Sequence, residues 1–343
     1  MSFESYKFNG LTGLANLGNT CFLNSTLQCL SHTYELNDFL KKETYKKKLN
    51  NIPDTLVLLE WDKLREMIWS ENCVISPGGF IQIIQKIANI KNRDIFTGYA
   101  QNDLPEFLLF LIDCFHNALH RKVTMNINGN IQNKKDELAK KCYNMIKTMY
   151  TNDYSEFLDI FYGIHVSNIY SVDGEILTQT PEPYFLISLP IPQNNKNPTL
   201  EDCFDLYTKE ELLTDENQFI YKDSKIDALR EIKFWKFPDI LVIDLKRFNN
   251  NAKKNKILIT FPLENFNVSQ YCIGYNKDLY VYDLYGICNH SGGVMGGHYT
   301  SYIKNANGKW YHFNDTQVTE IDNLDSLISN KAYCFFYRKK IIK

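Results

Sequence analysis

The sequence contains no apolar run approaching the roughly 18 residues that a membrane helix needs, so a helical span is excluded. Its 9 cysteines include no C-x-x-C pair, and scattered through 343 residues they exclude the disulfide-dense framework of small secreted domains. Excess charge is also lacking. The 38 Lys plus Arg against 40 Asp plus Glu leave −2, which gives no global pull toward nucleic acid or an anionic membrane. Met1 to Tyr6 carry no basic segment leading into an apolar one, so they do not read as a secretory signal. There is no internal repeat and no low-complexity linker. These absences predict a reduced, soluble, intracellular protein of cytoplasm or nucleus. A hydrophobic content of 44% excludes disorder and supports a large core.

What is present begins at Gly13. Gly13, Asn16, Gly18 and Asn19 are turn residues that tolerate positive φ. At Thr20 the character changes: Leu23, Leu27 and Leu30 fall at i, i+4, i+7, which predicts a helix from Thr20 to about His32 with Thr20 as N-cap. Cys21 then sits in the first turn, where unpaired N–H groups and the helix dipole favour a thiolate. Such a thiol is either a buried helix-start residue or a nucleophile, and this stretch alone leaves the two readings even.

Helices are also predicted over Leu56–Trp69, over Ile81–Ile87 after the break at Ser76-Pro77-Gly78, and beyond Asp103. Asp103 reads as an N-cap and Pro105 is tolerated in the first turn. The basic run Lys41–Lys48 reads as a solvated face. From Arg121 to Asp153 the chain is polar and partly helical. Strands are predicted over Phe161–Ile169, Ile176–Thr180 and Tyr184–Leu189, and a helix from Phe204 into Leu213. Ile240–Leu245 is apolar throughout and predicts a strand buried on both faces. Helices first and strands after predict one composite α+β domain.

A glycine-rich loop delivers His298 to the start of an alternating strand, and Asn307-Gly308 signals a hairpin. A four-residue loop places His298 opposite Asp315 and beside Asn314. A two-residue loop places Thr300 opposite Asp315 with His298 diagonal to it. In both registers a histidine meets the Asn-Asp pair, and a cysteine nucleophile needs a base whose other nitrogen is held. His290 lies beyond the glycines and faces the same cleft, whereas His312 packs or meets solvent.

The stretches Gly13–Ser25, Gln101-Asn102-Asp103 with Glu106-Phe107-Leu108, Leu241–Phe248, His290-Ser291-Gly292, Gly297-His298-Tyr299, and Trp310 with Phe313-Asn314-Asp315 resemble the ubiquitin-specific proteases. They occur in the family's order, closed by Ala332–Tyr337. The resemblance implies a papain-like α+β fold of helical thumb (about 11–122), fingers (155–235) and antiparallel β palm (236–340) in a single catalytic domain. It implies Cys21 as nucleophile, His298 as general base, Asn314 as the residue orienting it, Asp315 as an assisting neighbour and Asn16 in the oxyanion hole. For the substrate it implies Asp103, Gln101, His290, Gly297 and Tyr299, lining a channel that only a Gly-Gly tail threads.

Many family members carry two C-x-x-C pairs at the fingertips, holding zinc. Here those places fall near Tyr170–Asp173 and Tyr221–Ser224, without a thiol, so the expectation is fingers with no metal. The implied activity is thiol-dependent cleavage at the C-terminal glycine of ubiquitin. It needs no cofactor, and a monomer acts on ubiquitin and ubiquitinated proteins with no nucleic acid or membrane partner. The alternatives are a protease for another ubiquitin-like modifier and a non-catalytic ubiquitin-binding pseudoenzyme.

Overall fold

The first half of the chain folds as the apolar periodicities dictate. A computed structural model describes residues 3–93, 96, 102–248, 253–293 and 296–341. The short β1 (Gly13–Leu14) runs into α1 (Cys21–Ser31), in which every residue is buried. A helix buried all round runs between two layers rather than over a surface. α2 (Tyr34–Lys41) follows, then a 3-10 turn over Thr44–Lys48, whose lysines are solvated around the buried Tyr45. α3 (Asp54–Ser70), β2 (Val74–Ile75, parallel to β1), α4 (Gly78–Ile90) and α5 (Leu104–Leu119) complete the helical layer. Its centre is aromatic: Trp61, Phe80, Phe107 and Phe115.

α6 (Lys134–Asp153) buries Leu138, Ala139 and Cys142, and the short α7 (Glu156–Phe161) leads into the sheets. β3 (Gly163–Ser171) and β4 (Ile176–Tyr184) form a long hairpin, and β5 (Leu186–Leu189) leaves it for the larger sheet. α8 (Leu200–Thr208) starts on a capping box between Thr199 and Asp202. The helix predicted into Leu213 stops at Thr208. Glu211–Leu213 instead forms β6, paired to Ala228–Arg230, because an open strand edge supplies backbone partners that outweigh helix propensity. β7 (Phe219–Tyr221) and β8 (Ser224–Ile226) make a tight hairpin, and β9 (Ala228–Lys236) closes the sheet β4-β3-β9-β6.

Between β7 and β8, Lys222 and Asp223 take φ of 49° and 65°, the two-residue turn that matches strand twist. The side chains of Tyr170–Asp173 and Tyr221–Ser224 offer no thiol or imidazole, so this donor set does not fit a structural zinc ion. Among the described residues no group of three His, Cys, Asp or Glu is arranged to hold a metal, and no helix is long and apolar enough to cross a membrane.

The large sheet has the order β15-β14-β13-β12-β16-β10-β5, with β11 (Phe266–Asn267) on β12. Its strands are β10 (Ile240–Leu245), β12 (Val281–Gly293), β13 (Gly296–Lys304), β14 (Trp310–Asn314), β15 (Gln317–Ile321) and β16 (Ala332–Lys339). β10 is buried at all positions: Ile240 and Val242 join the core under the helices, and Leu241, Ile243 and Leu245 the core on the opposite face.

α1 and Thr33 just after it dock on this sheet through three contacts in register. Ser25 Oγ donates to Thr300 O at 3.0 Å, Cys29 Sγ lies 3.5 Å from Cys288 Sγ, and Thr33 Oγ1 is 2.7 Å from Tyr285 Oη. Gly286 permits the approach, since a Cβ there would stand 3.0 Å from Cys29 Sγ. Arg338 of β16 fastens the far end: Nε donates to Glu35 at 2.9 Å, Nη2 to His32 O at 2.7 Å, and the guanidinium lies 4.3 Å from the Tyr285 ring centroid and 4.6 Å from that of Tyr34. Arg338→Ala is expected to cost about 2–3 kcal/mol in urea unfolding, and Lys to restore little, because an ammonium cannot stack and bridge together. A loss below about 0.5 kcal/mol would contradict this account.

Candidate active site

Cys21 is the first residue of α1 and is 2% exposed. The Ser25–Thr300 bond, one turn further on, sets it level with the start of β13, and its thiol meets the main chain of Tyr299. Burial pushes the thiol pKa up, Tyr299 N–H and the helix-start N–H groups pull it back, and the Asp315 carboxylate adds to the rise. The pull toward a thiolate expected from the helix start alone is therefore opposed, because desolvation outweighs the first-turn dipoles. Alkylation of Cys21 by iodoacetamide is expected to climb steadily from about pH 6 to 9, as for an unactivated thiol. A plateau reached below neutral pH would instead reveal a resting ion pair.

His298 stands on β13, and its Nε2 is 2.6 Å from Asn314 Oδ1 at the end of β14. An amide oxygen accepts, so Nε2 carries the proton and Nδ1 keeps its lone pair for a second proton. The hairpin register is neither of the two anticipated. Lys304 pairs with Trp310 and Ser301 with Phe313, which leaves a five-residue loop, 305–309. This register puts Asn314, not Asp315, on the face of His298, since a shift by one residue turns every side chain to the other side.

Asp315, at φ 50° in the turn to β15, points to the helical layer instead. Its Oδ1 accepts from Asn24 Nδ2 at 2.8 Å, its Oδ2 from Asn16 Nδ2 at 3.0 Å, and its main-chain oxygen from Leu14 N at 2.8 Å.

Asn16 is held at both ends. Its Oδ1 accepts from Gly18 N and Thr20 N, each at 3.1 Å. Gly18 at φ 100° and Asn19 at φ 54° let the loop wrap around that oxygen. Thr20 occupies the N-cap position but makes no side-chain cap; its Oγ1 accepts from Leu17 N at 3.0 Å. The Asn16 amide therefore presents Nδ2 outward, with one N–H on Asp315 and the second unused among the described residues.

Asp103 occupies the N-cap position of α5 without capping it. Its Oδ1 accepts from Tyr333 Oη at 2.8 Å, and the Tyr299 hydroxyl also reaches the carboxylate. Gly297 precedes His298 on β13, paired with Gly292. His290, expected to line the cleft, is 3% exposed and packs behind Tyr299 at 4.6 Å between ring centroids. Burial, then the Lys254 ammonium, brings its pKa down to about 4. Gln101 lies outside the described residues.

Three contributors escaped sequence reasoning: Asn24, Tyr333 and Lys254. Asn24 had a usable signal, three residues after Cys21 on the same helix face. Tyr333 and Lys254 had none, as their roles exist only across strands.

A helix-start cysteine whose thiol meets the strand residue next to an amide-oriented histidine, between a helical layer and an antiparallel sheet, defines the papain-like class of cysteine hydrolases. The family model described as ubiquitin carboxyl-terminal hydrolase matches residues 12–337, and the chain belongs to that family. It is 36% identical over 347 residues to human ubiquitin carboxyl-terminal hydrolase 2, covering 97% of this chain and 56% of that protein. The Drosophila melanogaster relative Usp2 is 34% identical over 348 residues, covering 98% of this chain and 36% of that protein. The chain thus spans about half the length of the human relative, or less for the fly protein. Among solved structures, the SAGA Ubp8/Sgf11/Sus1/Sgf73 DUB module bound to ubiquitin aldehyde superposes with a TM-score of 0.73 at 25% identity, covering 98% of this chain and 71% of that chain. The Ubp8-Sgf11-Sgf73-Sus1 module gives 0.69 at 26% identity, covering 100% and 70%.

Proposed function

We propose that this chain is a deubiquitinase that hydrolyses the bond after the C-terminal glycine of ubiquitin, with Cys21 as nucleophile. The observation that carries the reading is the His298–Asn314 bond beside the Cys21 turn, which leaves Nδ1 as the atom able to take the thiol proton. Cys21 Sγ attacks the glycine carbonyl carbon as its proton passes to His298. The oxyanion is met by the spare N–H of Asn16 and main-chain N–H groups at the start of α1. The imidazolium then protonates the leaving amine, and a thioester remains. Water, deprotonated by His298, attacks the thioester, and the collapse returns the thiol and a free carboxylate.

Asp103, oriented by Tyr333, is the anion for the basic segment before the tail, and Gly297 and Tyr299 wall the tail itself. The working form is a monomer inside the cell with no cofactor. The names of the relatives and the ubiquitin aldehyde bound to Ubp8 support ubiquitin as the partner. The finger surface, built without zinc ligands, favours keeping one second reading, another ubiquitin-like modifier. The test is to incubate the protein with ubiquitin and ubiquitin-like proteins carrying a C-terminal thiol trap. A covalent adduct with ubiquitin, absent in Cys21→Ala, is expected; adducts with another modifier alone select the second reading, and binding without an adduct removes the enzyme.

A further inference from the structure

Lys254 follows β10 in the chain and forms an isolated bridge with Phe248. Its Nζ donates to the main-chain oxygen of His290 and lies 3.1 Å from His290 Nδ1. An ammonium has only protons to give, so Nδ1 must present its lone pair and the ring proton must sit on Nε2. Nε2 is in turn pressed against β13: a Cβ on Gly297 would stand 2.3 Å from it. The ring face lies 4.6 Å from Tyr299, with Phe248 at 5.6 Å and Tyr333 at 6.1 Å. Tyr299 and Tyr333 are the two hydroxyls that reach Asp103. A continuous line of contacts therefore runs from one lysine, through one imidazole, to the wall and the anion of the tail channel.

We propose that Lys254 is a positioning residue for the substrate tail: it locks His290 as a neutral ring in one tautomer, and that ring holds Gly297 and Tyr299 at the depth the tail requires. The inference rests on the reading of Gly297, Tyr299 and Asp103 as channel residues. Around the ring stand Lys254, Tyr299 from β13, Tyr333 from β16 and Lys331 just before it, where Lys331 O accepts His290 N–H at 2.8 Å. The charged groups acting on Lys254 are Arg247, Lys256 and Lys331, all cations. Burial and these neighbours bring Lys254 down to about 8, and Lys254 helps burial to hold His290 at about 4. The ring is thus neutral throughout the working range. Without Lys254 it is freed at Nδ1 and its pKa rises, so falling pH charges it and pushes it out from under Gly297.

The experiment measures kcat and KM on a ubiquitin C-terminal fluorogenic amide for the parent chain, Lys254→Met and Lys254→Arg, between about pH 5.5 and 8, alongside an NMR titration of the His290 ring. In Lys254→Met, KM is expected to rise about tenfold with kcat within about twofold, as for lost positioning rather than lost chemistry. The penalty should grow as pH falls, the His290 midpoint should move up, and Arg should restore most of the loss. An unchanged KM, or a pH-independent loss with an unmoved His290 midpoint, overturns the proposal. If the parent chain does not hydrolyse the substrate, the functional reading fails, while the His290 titration still decides the lock.

Discussion

Cys21→Ala is expected to reduce hydrolysis of a ubiquitin C-terminal amide by about 10⁴-fold or more, down to background. The next thiol along α1 cannot stand in: Cys29 is fully buried two turns on, against Cys288. Cys21→Ser should fail nearly as completely, since a hydroxyl is a far harder proton donor to a neutral imidazole than a thiol is. Because His298 acts through Cys21, His298→Ala in the Cys21→Ala background should cost almost nothing more, as members of one catalytic unit do not add. The side chain removed is small and buried, so urea unfolding should shift little, separating lost chemistry from lost fold. Activity above about a tenth of the parent would reject Cys21 as the nucleophile.

Asn16→Ala should lower kcat by about 10²–10³-fold with KM nearly unchanged, as removal of one oxyanion donor does. The geometry makes a second, linked expectation. Asp315 accepts from both Asn16 and Asn24, so it aims the Asn16 amide from the sheet side while Gly18 and Thr20 fix it from the loop side. Asp315→Asn puts an NH₂ group where one of two N–H donors needs an acceptor. A further loss of about tenfold in kcat is expected when this single change is made in the parent, and none when it is made in Asn16→Ala. Equal losses in both backgrounds would show that Asp315 acts elsewhere. The double-mutant cycle thus separates an aiming role from direct assistance to His298, which Asp315 does not touch.

The local readings survived where one segment's own period settles them. The start of the helix at Cys21, the solvated Lys41–Lys48 run and the doubly buried β10 follow from spacing and composition within a few turns of chain. The stretch 210–213 did not, because the edge of β9 that recruits it lies further along the chain. The register of the hairpin after His298 differed for a related reason. Asn307-Gly308 announces a hairpin, but the loop takes five residues, and parity then hands the base to Asn314 and turns Asp315 toward Asn16.

By itself the sequence determined the inventory: a cysteine at a helix start, a histidine on a glycine-flanked strand, an Asn-Asp pair after a hairpin, and a family whose boxes they fill. Only the tertiary structure decided which of these atoms meet, that burial pushes the Cys21 thiol up, and that Lys254 reaches His290. Spacing encodes which face a side chain takes on its own element. Proton affinities and partners depend on what another element buries against that face, and here α1 sets them by lying across β12 and β13.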